Sequence, residues 1–329
     1  MRRLLWLAFL LSFLAAGRAA AAPDALLELV KSIPLPAVRG RIDHMDLDAS
    51  SGRLFIAALG NNTLEVVDLK QNRRTRSSVG FGEPQGIVYV VSLRRLFIAS
   101  GSGNRVDILD AASLAPIKRI EGLEDADNIR YDAKAGLVYV GYGAGALRIL
   151  DARTGDSMGD IRLAGHPESF QLEPSGGRIF VNVPTAGHIA VVDRAARKVA
   201  QTWAMPGVSA NFPMVFDERG HRLYVGTRKP AVLLVYDTDT GGFVGRIRIG
   251  EDVDDLFFEP STKRIYAICG EGLVNVVAQT DPNHHTLIGA IKTATGARTG
   301  LFDIESRRLF VAAPARGSSE AEMRIYRIR

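Results

Sequence analysis

Seven short segments of this 329-residue chain carry the side chains best suited to chemistry: Asp43-His44, Gln85-Gly86, Asp127-Asn128, Glu168-Ser169, Phe212-Pro213, Asp254-Asp255 and Arg298-Thr299. They recur every 41 to 44 residues. Four of them contribute a carboxylate, one adds an imidazole and one a guanidinium. If the fold brings them together, Asp43, Asp127, Glu168 and Asp254 supply oxygen donors of the kind that suit a hard divalent cation, calcium or magnesium. Asp43, His44, Asn128 and Arg298 then form the set for a polar ligand, with His44 as a base or orienting group. The competing reading of the same carboxylates is that they cap loops at a solvated lip.

The spacing comes from a repeated unit. A short apolar run returns as Arg53-Leu54-Phe55-Ile56, Arg95-Leu96-Phe97-Ile98, Leu137-Val138-Tyr139-Val140, Arg178-Ile179-Phe180-Val181, Arg222-Leu223-Tyr224-Val225, Arg264-Ile265-Tyr266-Ala267 and Arg308-Leu309-Phe310-Val311. A period of this length marks a stacked repeat architecture. Each run is too short for a helix and rich in β-branched and aromatic residues, as expected of a strand covered on both faces.

Turn chemistry divides each unit into four strands. The first strand ends in an acidic residue in six of seven units, Asp48, Asp132, Glu173, Asp217, Glu259 and Asp303, with Val90 the exception. Gly and Asn turns such as Leu59-Gly60-Asn61-Asn62 follow the second strand and supply positive φ. The third strand closes on Asp68, Asp110, Asp151, Asp193 or Asp237, whose carboxylate is expected to bond the backbone of the next turn. The fourth strand is more polar and belongs outside.

Seven four-stranded antiparallel sheets bury both faces by standing around an axis, so the fold class is all-β, a seven-bladed β-propeller. The last unit ends at its third strand, Met323-Arg324-Ile325-Tyr326. The missing outer strand is available at the other terminus in Leu27 to Ile33, and pairing the two closes the ring and removes an exposed edge.

Residues 1–21 read as a secretory signal peptide: a basic Met1-Arg2-Arg3, an apolar stretch from Leu4 to Ala16, then small residues up to a cleavage after Ala21. Residues 22–329 then form one β-propeller domain, periplasmic or secreted, with no membrane span in the mature chain and expected as a monomer. Losing Arg2, Arg3 and Arg18 lowers the formal net charge from +5 to +2. With no Lys/Arg tract and no aromatic-basic interleaving, nucleic acid is not the expected partner. The single cysteine, Cys269, lies in an apolar run and is expected to be a buried free thiol. His284-His285 reads as a surface pair at an outer turn, and no His or Cys cluster stands at zinc-ligand spacing. The glycine-rich Gly141-Tyr142-Gly143-Ala144-Gly145 joins two strands, so it is no phosphate cradle.

The stretch from Ile42-Asp43-His44-Met45 through Arg53-Leu54-Phe55-Ile56 to Val66-Val67-Asp68 resembles the YVTN-repeat β-propellers, in particular the bacterial YncE-like exported proteins. The resemblance covers the mature chain and rests on turn and core residues. It implies an exported seven-bladed propeller; related propellers include lactonases and partners of redox enzymes. Two functions follow as expectations. The first is a binding or scaffold protein of the cell envelope that holds a small molecule or an envelope protein at the channel mouth. The alternative is a metal-dependent, lactonase-like hydrolase in which the acidic ring holds a cation that activates water.

Overall fold

A computed structural model describes residues 26–329; the leader read in 1–21 lies outside the described residues. The chain forms seven four-stranded antiparallel sheets, and six of them use strands consecutive in sequence. In blade one these are Met45–Asp48, Arg53–Ala58, Thr63–Asp68 and Arg73–Val79 from the axis outward. The seventh is the expected composite: Gly300–Asp303, Arg308–Ala313 and Glu322–Ile328 are completed on the outside by Leu27–Pro34. Leu27 pairs with Ile328 and Ile33 with Met323, with one bulge between Leu29 and Lys31. Among the described residues no helix is long and apolar enough to cross a membrane.

The expected turn chemistry is present. Asp68 accepts hydrogen bonds from the backbone N–H of Lys70 and Gln71, both at 2.8 Å, and Asp110, Asp151 and Asp237 close their turns in the same way. The acids that end the first strands do this too: Asp132 accepts from Lys134 and Ala135, and Glu259 from Ser261 and Thr262. Where Val90 replaces the acid, the chain instead closes with a 3-10 turn at Val91–Leu93, followed by Arg94 at φ 54°. Asn62 takes the left-handed conformation at φ 56°, where an Asn costs less than most side chains.

The core is not one mass but seven, each straddling one joint between blades. Phe55, Leu64 and Val66 of blade one, for instance, pack against Ile87, Leu96 and Ile98 of blade two. Cys269 is fully buried in the joint between blades five and six, and burial pushes its thiol up to about 12. The recurring Arg that opens the second strand has a purpose at these joints that its sequence neighbours do not reveal. It donates across to a carbonyl beyond the third strand of the next blade: Arg53 to Ala111 at 2.7 Å, Arg222 to Pro282 at 2.7 Å, Arg264 to Arg329 at 2.6 Å, and Arg178 to Thr238. Blade three has Gly136 in that place. There the joint is held from the other side by Arg194 of blade four, which reaches back to Asp132 at 2.8 Å while donating to the carbonyls of Glu173 and Arg178.

Polar side chains also link blades near the axis. The Asp46 carboxylate accepts the Tyr89 N–H at 2.6 Å, the Gln171 amide donates to the Met214 carbonyl at 2.9 Å, and Asp255 accepts the Gly300 N–H at 2.7 Å. Burial raises the Asp46 carboxyl to about 6, although the Tyr89 and Leu47 N–H groups oppose the shift. His285 departs from the surface reading. Its Nε2 lies 3.1 Å from the Tyr224 hydroxyl across the joint between blades five and six, and burial pulls its pKa down to about 4. His284 is exposed and pairs with Asp281 at 2.7 Å.

Candidate functional site

The first strand of each blade starts next to the axis, and its ladder continues a residue or two beyond the strand. The Asp43 N–H donates to the Ala57 carbonyl at 2.8 Å, Asp127 to Gly141 at 3.0 Å and Glu168 to Asn182 at 3.0 Å. These equivalent positions turn their side chains into one cavity at the mouth of the central channel. Its volume is about 160 Å³, below the roughly 300–1,000 Å³ of drug-sized ligand sites. Every blade contributes to its wall, which contains Asp43, His44, Asp127, Asn128, Glu168, Asp254 and Arg298 together with Gln85 and Phe212. Close approach is needed to build it. At Gly86 an added Cβ would lie 2.2 Å from the Asp127 carbonyl oxygen, so a side chain there would displace the Asp127 loop.

Two of the four acids are buried below the rim, and Glu168 and Asp254 are partly exposed. Asp43 is 3% exposed and Asp127 8%. They differ sharply in their company. Asp43 is 2.5 Å from the Arg41 guanidinium, and one of its oxygens is 3.8 Å from His44 Nε2. Asp254 is bound from two sides, by Arg228 at 2.5 Å and Arg298 at 2.9 Å, and both guanidinium groups also contact Asp252. Arg228 stacks over the Phe212 ring at 4.2 Å, which covers the one apolar side chain of the wall with a cation. Asn128 is buried and accepts from Arg130 at 3.3 Å. Asp127 and Glu168, by contrast, make no side-chain hydrogen bond or ion pair among the described residues. The acidic quartet is therefore divided: Asp43 and Asp254 carry guanidinium partners, and Asp127 and Glu168 face each other without one.

Electrostatics follows this division. Burial, then repulsion from Asp43 at Asp127 and from Asp127 and Asp254 at Glu168, holds both carboxyls above the ordinary range. Burial raises Asp254 too, against the pull of Arg228 and Arg298. For His44 burial opposes the charged form, but Asp255 at 3.6 Å, with Asp43 and Asp127, outweighs it and lifts the imidazolium to about 10. A group charged through neutral pH is a fixed cation, not a general base.

Arg41, Asp125, His166 and Arg228 of the wall fall outside the repeating register. His166 comes from the loop before blade four and stands beside Asp127 and Glu168, each offering a ligand atom within 4.8 Å of the other two. His166-Pro167-Glu168 is its sequence signal, since residues two apart on an extended backbone point to one side.

Fold and site together define a seven-bladed β-propeller with a charged channel mouth. No protein-family model matches the chain, and no curated protein does. Solved structures do. A chain of the Kuenenia stuttgartiensis hydrazine synthase superposes with a TM-score of 0.75 at 16% identity, over 84% of this chain and 93% of that one. A chain of a mitotic checkpoint complex superposes with a TM-score of 0.79 at 14% identity, over 100% of this chain and 99% of that one. At such identities the likeness is one of fold alone.

Proposed function

We propose that this chain is an exported binding propeller of the cell envelope, of the YVTN-repeat and YncE-like type, whose channel mouth holds a small cationic ligand. The leader pattern of residues 1–21 and the repeat motifs support the address and the type. One observation carries the choice of ligand: Asp127 and Glu168 are turned into the cavity with no hydrogen bond or ion pair to a cation among the described residues, while every guanidinium of the wall is already engaged by another acid. A buried carboxylate is costly until it is paired or hydrogen-bonded. A cation entering beside Asp127 and Glu168 supplies that pair.

The test is a thermal-shift panel on the purified chain with small organic cations (putrescine, choline, arginine amide) and with divalent metal ions. A ligand that binds only the native state raises the melting temperature. The double variant Asp127→Asn with Glu168→Gln should fold, melt at or slightly above the wild-type temperature, and respond to none of the cations. If no cation stabilises the wild type, the reading fails. The hydrolase alternative draws on the same residues, because a cation held by three protein ligands keeps positions open for water. Hydrolysis of small lactones that depends on both metal and Glu168 is its signature. Fractionation settles the address: the chain should be recovered from the periplasm with a start at Ala22 or within a residue or two of it.

A further inference from the structure

We infer that Asp127, His166 and Glu168 form a site for a first-row transition-metal dication of the zinc or manganese class. The inference rests on the cation-binding reading of the mouth and names the cation. Three independent features converge on it.

The first is the juxtaposition itself. Asp127 comes from blade three, His166 and Glu168 from the loop entering blade four, and their donor atoms lie within 4.8 Å of one another. The second is the orientation of the imidazole. His166 Nδ1 is 2.8 Å from the Gly143 carbonyl, which can only accept, so Nδ1 bears the proton and the lone pair of the neutral ring is on Nε2. A backbone carbonyl that fixes the tautomer in this way is the usual support of a metal-ligating histidine. The glycine-rich turn between the second and third strands of blade three thus gains a role: Gly143, at φ 61°, presents that carbonyl. The third is an unmet need. Asp127 is 92% buried and lines the cavity, and no hydrogen bond or ion pair is made by its carboxylate among the described residues.

The donor set selects the metal. Calcium takes six to eight oxygen ligands and magnesium keeps oxygen and water, whereas an imidazole donor suits zinc and the later first-row ions, and the two carboxylates beside it accommodate manganese as well. One nitrogen and two carboxylates balance a dication and leave coordination positions for water. The arginines do not compete for these oxygens, since Arg41, Arg228 and Arg298 are bound to Asp43, Asp252 and Asp254.

Calorimetric titration of the chelator-stripped chain with Zn2+, Mn2+, Ca2+, Mg2+ and putrescine tests this. Zn2+ or Mn2+ should bind one to one, Ca2+ and Mg2+ far more weakly. His166→Gln should lower the transition-metal affinity by more than about 100-fold, since even outer-shell changes cost 10–100-fold. Glu168→Gln, an isosteric change, should do the same while the apo melting temperature is kept or raised, which separates loss of the site from loss of the fold. His284→Gln should change nothing. Metal binding abolished by His284→Gln and retained in His166→Gln would place the ion at the surface pair and overturn the inference. Equal affinity for Ca2+ and Zn2+, insensitive to His166, would overturn it as well. Binding of putrescine with no response to any metal removes this inference and leaves the broader reading of the mouth in place, while silence from all five probes removes this inference and, if choline and arginine amide are silent too, the broader reading with it.

Discussion

Closure by the first strand can be tested by moving it. Leu26, Leu27, Ile33 and Leu35 are each no more than 2% exposed, and all four are lost if the chain is shortened to begin at Pro36. At roughly 2 kcal/mol for each fully buried aliphatic side chain, the deletion costs about 8 kcal/mol before any hydrogen bond is counted. Whole domains are stable by only about 5–15 kcal/mol. The shortened chain is therefore expected to lose its urea transition or to aggregate through the bared edge of Glu322–Ile328. A permutant separates this from a mere effect of truncation. The Arg329 N–H donates to the Leu26 carbonyl at 3.1 Å, so residues 26–36 can follow Arg329 through a turn of about three residues, with the new chain starting at the exposed Ala37. It should restore the unfolding free energy from urea titration to within about 1 kcal/mol of the parent. Trp203 fluorescence and far-UV circular dichroism report the transition. A shortened chain with the parental midpoint, or a permutant no better than the deletion, refutes the argument.

Arg194→Ala should destabilise by about 3 kcal/mol in urea titration, because it leaves Asp132 without its guanidinium in the joint that lacks a forward arginine; an unchanged midpoint would show that the back-reaching clamp is idle. His285 has its folded pKa depressed, so its contribution is present above pH 6.5 and is lost as pH falls towards 4. His285→Gln should flatten the stability profile in that window, as read from melting temperatures at stepped pH. His44 has the opposite sign: its folded pKa is raised, its contribution is complete below pH 6.5, and it fades as pH rises through about 10. Asp255→Asn should weaken that alkaline dependence, and a profile identical to the parent would separate His44 from its supposed partner.

The fold was readable because its determinants are local and repeated. A short apolar strand, a Gly or Asn turn and a closing Asp recur often enough that Val90 or Gly136 in one unit does not hide the pattern. The positions of Asp43, Asp127, Glu168, Asp254 and Arg298 at one mouth were readable for the same reason, since a ring places equivalent residues around its axis. Their pairing was not. Arg228 meets Asp254 across a joint, from the far end of a second strand, and nothing in the spacing tells which guanidinium will reach which acid. His166 escaped because it stands two residues before the repeating position, in a loop whose course depends on the neighbouring blade. Long side chains reaching over blade boundaries follow tertiary geometry, and a repeat read along the chain is blind to it.

The composite seventh blade also fixes how the ring would respond to force. All seven joints between blades are crossed by continuous chain, and among the described residues the only interruption lies inside one sheet, between Leu27–Pro34 and Glu322–Ile328. Leu26 and Arg329 are at the same end of that strand pair. Pulling on them loads the seven registered residue pairs one after another, as a zipper opens, against about 0.5–1.5 kcal/mol per hydrogen bond. Pulling between Pro36 and Arg329 loads the same pairs from opposite ends, in shear, so that they must yield together. In an optical trap the first geometry should part at low force and the second at a markedly higher one, making this seam a mechanical latch whose strength depends on where it is gripped.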